Sequence, residues 1–65
     1  MNKSYSSREV IKILKYHGWF LVNVVGDHHQ FKHPTIKGRA TVCHPKKDLG
    51  KHELASISRQ TGIQF

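Results

Sequence analysis

Cysteine, acidic side chains and long apolar runs are all scarce in this 65-residue chain, and each shortage excludes something. The single cysteine, Cys43, rules out an internal disulfide and fits a reducing compartment. A structural zinc site normally takes paired ligands such as Cys-x-x-Cys plus a second pair. That spacing is missing, although His28, His29, His33, Cys43 and His44 include the right residue types. The longest apolar segment, residues 19–25, is interrupted by Asn23 and is far too short to cross a bilayer. Residues 1–7 hold no apolar run of the kind a secretory signal needs. The expectation is a soluble cytoplasmic protein. Linkers, repeats and low-complexity stretches are also lacking, so residues 1–65 read as one domain. A domain this short buries only about 60% of the surface its unfolded chain exposes.

What the chain does hold is positive charge and histidine. Eleven Lys and Arg against four Asp and Glu give a net charge of +7, the footprint of a protein that meets phosphate backbones. The cations are spread over both halves: Lys3, Arg8, Lys12 and Lys15 lie early, and Lys32, Lys37, Arg39, Lys46, Lys47 and Lys51 lie late. The charge is therefore not a disordered tail. Five of the six histidines fall between positions 28 and 52, and three of them crowd into Gly26-Asp27-His28-His29-Gln30-Phe31-Lys32-His33-Pro34. Imidazole gives and takes protons near neutral pH, so such a cluster in a cationic setting fits chemistry on a polyanion, RNA cleavage best of all.

The patterning predicts an α+β fold with the order α-β-β-β-α. Ser6-Ser7-Arg8-Glu9 is a capping box, followed by Val10, Ile11 and Leu14 near helical spacing, and Gly18 closes this helix. Residues 19–25 are aromatic and β-branched and run into Gly26-Asp27, which reads as strand, tight turn and second strand. The second strand should span 28–33 and stop at Pro34, which has no amide to donate. A loop at 35–38 leads to a third strand at 39–43, ended by Pro45. Residues 51–61 carry Leu54, Ala55 and Ile57 as a modest stripe, with Gly62 as the stop of a second helix. Two helices should cover one face of a three-stranded antiparallel sheet, with Trp19, Phe20 and Phe31 in the core, since so small a domain needs every large apolar group it has.

Alternation along the second strand sorts the histidines. His29, Phe31 and His33 share one side, which Phe31 marks as the packed side; His28, Gln30 and Lys32 share the other. There the third strand adds Arg39 and Thr41. His29 and His33 read as partly buried rings hydrogen-bonded to backbone, which leaves His28 as the candidate for chemistry. Cys43 and His44 are adjacent on a strand and face opposite ways, so they do not make a nucleophile and base pair.

The run from Gly26 to Pro34, with Thr41-Val42-Cys43-His44-Pro45-Lys46-Lys47-Asp48-Leu49, resembles the HicA family, the toxin half of the HicA and HicB toxin and antitoxin pairs of bacteria and archaea. The resemblance extends over residues 6–62. It implies a fold similar to double-stranded RNA-binding domains, an mRNA-cleaving activity that arrests growth, one catalytic histidine after the glycine turn, which falls on His28, and a HicB-like antitoxin that masks it. Three positions depart from the family's usual pattern. Asp27 stands where Ser is common, Cys43 replaces a proline, and Gly50-Lys51-His52-Glu53 stands where a proline, a glycine and a threonine are usual. Asp27 matters most, because a carboxylate beside His28 attracts an imidazolium and repels a phosphate.

RNA carries its own nucleophile, so cleavage needs a base for the 2′-hydroxyl proton, in-line geometry and donors for the phosphate charge, with no metal or other cofactor. His28 is the expected general base or acid. Gln30, Lys32, Arg39 and Lys47 are the expected phosphate contacts, from charge and face alone, with the N-terminus of the second helix as a further anion site. The other classes in view are a non-catalytic RNA-binding module, which shares the charge but leaves the histidine cluster unexplained, and a zinc-binding interaction protein.

Overall fold

In a computed structural model that describes residues 4–65, helix α1 (Ser7–Tyr16) is followed by strands β1 (Phe20–Val25), β2 (His28–Lys32) and β3 (Ala40–Cys43) and by helix α2 (Lys51–Thr61). The expected order is the order observed. Lys3 of the basic set lies outside the described residues.

Helix α1 starts where its capping box directs. Ser6 Oγ accepts from the Glu9 amide at 3.1 Å, and the Glu9 carboxylate accepts from the Ser6 amide at 2.9 Å. Val10 and Leu14, four residues apart on one face, are fully buried. The chain then reverses through Gly18, whose φ of +95° is open to glycine at little cost, and delivers the buried Trp19 into the core. Helix α2 begins with the Gly50 amide donating to Glu53 at 2.9 Å and ends with the Gly62 amide donating to the Ser58 carbonyl at 2.7 Å. Of its expected stripe Ile57 is buried and Leu54 half-buried, whereas Ala55 is exposed.

The sheet is antiparallel in the order β1-β2-β3. Gly26, with φ +60°, takes the first position of the two-residue turn between β1 and β2, and among the described residues no non-glycine residue has positive φ; this is the pattern of a type II′ hairpin. In the register, Gln30 faces Asn23 and Thr41, and Phe31 faces Leu21 and Ala40. Phe31, Ala40 and Val42 present one face to both helices, and with Val10, Leu14, Trp19, Leu49 and Ile57 they form the core.

One core expectation is corrected. Phe20 is 48% exposed, because it pairs with Lys32 and so shares the outer face of the sheet, which no helix covers. Aromatic size argued for burial; register decided otherwise. The two sheet edges also differ. At β3 the Thr41 amide donates to Gln60 of α2 at 3.2 Å, so the helix takes that edge. Strand β1, with a bulge between Leu21 and Asn23, is exposed along all six residues.

Candidate active site

His28 stands at the first position of β2, directly after the turn, opposite Val25 on one side and Cys43 on the other. Its side chain is 56% exposed on the open face. Asp27 reaches it: the Oδ1 to Nδ1 distance is 3.4 Å, with the carboxylate exposed as well. The carboxylate thus meets the ring at its Nδ1 edge. That leaves Nε2 as the nitrogen turned to an incoming group.

Arg39, expected to open the third strand, lies just before β3. Gln30 Oε1 accepts from Arg39 Nη1 at 2.8 Å across the β2 and β3 strands, which aligns a guanidinium beside the strand that carries His28. Among the described residues one of the five guanidinium donors is used, which leaves donors for a phosphate. Lys32 is exposed at the far end of β2. An imidazole, an amide and two cations thus share one open face.

Lys47 belongs to another surface. It lines a groove of about 500 Å³ with Ser6, Ser7, Arg8, His44 and Lys46, between the first turn of α1 and the loop after β3. This loop is tied to the His28 turn, since the His44 amide donates to the Asp27 carbonyl at 2.8 Å. The first turn of α2 does not offer the empty anion site expected of it. Glu53 occupies it, accepting from Gly50 and from the Lys46 ammonium at 2.7 Å. The ammonium, and then the Gly50 amide, hold the Glu53 carboxyl below its ordinary range, while the same carboxylate raises Lys46.

The remaining histidines divide. His33 has the structural role expected: Nε2 donates to the His17 carbonyl at 3.0 Å, Nδ1 accepts from the Thr35 amide at 3.2 Å, and the ring lies against Trp19. The tautomer follows from those partners. His29 departs from its expectation. It is half-buried on the helix side, but its Nδ1 is buried with no hydrogen-bond partner, and its ring meets His44 edge to face at 4.9 Å. Sequence reasoning gave His44 no place of its own. It is in fact fixed by the buried Ser7, whose hydroxyl accepts from the Lys46 amide at 2.8 Å and shares a hydrogen bond with His44 Nδ1 at 2.7 Å. Alternation from Val42 through Cys43 contained the signal, since 42 and 44 share the face of His29. Among the described residues no group of three or more His, Cys, Asp or Glu is placed to hold a metal ion.

With this geometry in view, the comparison with known families is decisive. A family model described as the HicA toxin of bacterial toxin-antitoxin matches residues 7–63 of the 65. The chain belongs to the HicA toxin family. No curated protein matches it. Membership in HicA supports a toxin role and implies an antitoxin partner. The HicA match spans both helices and the whole sheet, so the open face, the Gly26 turn and the His44 loop all lie within it. No helix among the described residues of this HicA chain is long and apolar enough to cross a membrane.

Proposed function

We propose that this HicA-family toxin is an endoribonuclease that cleaves mRNA in the cytoplasm without a metal, using His28 as its proton-transferring group. The observation that carries the reading is the open sheet face: an exposed imidazole at a turn, with Gln30, Arg39 and Lys32 on the same surface. His28 Nε2 takes the 2′-hydroxyl proton as the 2′-oxygen attacks phosphorus. The bond from phosphorus to the 5′-oxygen breaks, and that oxygen leaves with a proton from the imidazolium or from water. The products are a 2′,3′-cyclic phosphate and a 5′-hydroxyl. Arg39, aligned by Gln30, and Lys32 hold the phosphate at the bond being cleaved, and Lys47 meets a neighbouring phosphate from its groove. A HicB-like antitoxin then neutralises the toxin by covering His28.

The test is cleavage of a defined RNA in excess EDTA, with the ends analysed. Activity should persist, the upstream fragment should end in a 2′,3′-cyclic phosphate, and His28→Ala should lower the rate by about 10²- to 10⁴-fold. Loss of activity in EDTA would end the metal-free scheme. Growth after induction separates the reading from a non-catalytic RNA-binding module: wild type should arrest cells and His28→Ala should not, whereas a binder would behave alike in both forms.

A further inference from the structure

Strand β1 carries the largest feature that the cleavage reading leaves unused. Phe20, Leu21, Val22, Val24 and Val25 are each between 41% and 56% exposed, in six consecutive residues without a charge. A contiguous apolar strand of this kind on a small domain marks an interaction surface. The backbone adds to it. Among the described residues the sheet order leaves the outer edge of β1 unpaired, whereas α2 takes the corresponding edge of β3 through Gln60. An exposed, uncharged edge strand is a template for strand addition.

The geometry points to β1 as the docking edge for the antitoxin, which adds an extended, acidic and apolar strand to the sheet. This rests on the toxin reading of the chain. Charge selects the occupant. A second copy would bring another +7 against this one, while an acidic protein is attracted by the +7 and meets Lys32 opposite Phe20 and Arg39 beyond it on the open face. RNA is the poorer fit to the strand itself, because four of its five apolar side chains are aliphatic and none is cationic, whereas single strands bind through stacked aromatics and cations. Position explains neutralisation. Val25 is the direct partner of His28, so a strand laid along β1 carries its side chains to the rim of the imidazole and denies that edge to RNA. The bulge at Val22 breaks the flatness of β1 and disfavours indiscriminate pairing, as bulges on edge strands do.

The experiment uses the His28→Ala chain and, as its probe, the product of the reading frame adjoining this chain's own. Binding is then read without reference to cleavage, so a failed docking assignment and a failed nuclease assignment give different results. Backbone amides of residues 20–25 should gain protection from hydrogen exchange in the complex. Replacing both Leu21→Gln and Val24→Gln, which removes apolar burial and leaves net charge unchanged, should weaken the complex by at least about tenfold. In the His28 background the same pair of changes should leave RNA cleavage intact. Association should slow steeply with salt. Unchanged amide exchange along β1, or undiminished binding by the double variant, overturns the proposal. So does a dimer of the chain alone that the double variant abolishes, which would assign the edge to a second copy. A double variant that loses RNA affinity instead would assign it to RNA.

Discussion

Asp27 is the residue on which the chemistry of this chain turns. Its carboxylate lies 3.4 Å from His28 Nδ1, with both groups open to water. It orients the ring with Nε2 outward, and it places a negative charge where an RNA phosphate must come. The second effect should win, because a contact this exposed holds the ring only weakly while substrate approach is repelled directly. Asp27→Ser is therefore expected to raise kcat/KM on a short RNA by about two- to tenfold, mainly through KM. A fall in kcat instead would show that the carboxylate supports the imidazole. The histidines show where sequence reading stops at this scale. Alternation separated His28 from His29 and His33 and put Gln30 on the same face as Arg39, since both follow from the period of a strand. It gave faces but not neighbours. His29 stands against His44, fifteen positions away, and only packing brings those rings together with Ser7.

Among the elements, helix α1 was legible almost to the residue because its signals are local: Ser6, Glu9, Val10, Leu14 and Gly18 act within one another's reach. The Gly26 turn was legible for the same reason. Phe20 was misplaced because its burial depends on strand register, which pairs it with Lys32 on the face that no helix covers. Helix α2 shows the same contrast. Its capping glutamate was unremarked, and the ion pair that engages it comes from Lys46 in the preceding loop. The paired groups give a signed prediction. Glu53 is held below its ordinary value of 4.5, so its contribution to stability is present above that pH and is lost as pH falls through the folded value. Lys46 is raised above 10.5, so its contribution is present below that pH and is lost as pH climbs through the folded value. Glu53→Gln keeps an acceptor for Gly50 but removes the charge. Between about pH 5 and 10 it should lower Tm by no more than about 4 °C, and the difference from wild type should close in acid. Thermal melts of both proteins across that range check it; a gap that persists at pH 3 would show packing, not charge, to be the cause.

For the whole molecule, +7 on 65 residues is a statement about encounter before it is one about chemistry. Five of the eleven cations fall on two surfaces, Lys32 and Arg39 on the open sheet face, and Arg8, Lys46 and Lys47 around the groove beside α1. Lys46 is engaged by Glu53, which leaves Lys47 and Arg8 as the groove's available charges, with Glu9 nearby in the capping box. On the cleavage reading proposed above, an RNA strand held by both surfaces passes the turn that carries His28, which the His44 amide ties to the groove loop through the Asp27 carbonyl. Binding to a short single strand should therefore weaken steeply with salt. Each phosphate contact removed should reduce the slope of log affinity against log salt by about 0.7. Lys32→Gln, Arg39→Gln and Lys47→Gln are each expected to show that reduction, with KM raised and the rate at saturation little changed, because a cation that only holds phosphate binds ground state and transition state alike. Arg39 is the position where this can break down. Its guanidinium is aligned by Gln30 beside the strand of His28, so a loss of kcat at an unchanged slope would move it from holding the strand to stabilising the charge that develops at phosphorus. Gln30→Ala would then share the kcat defect of Arg39→Gln, whereas Lys47→Gln would not, and this three-way comparison separates the reacting face from the groove that only carries the strand to it.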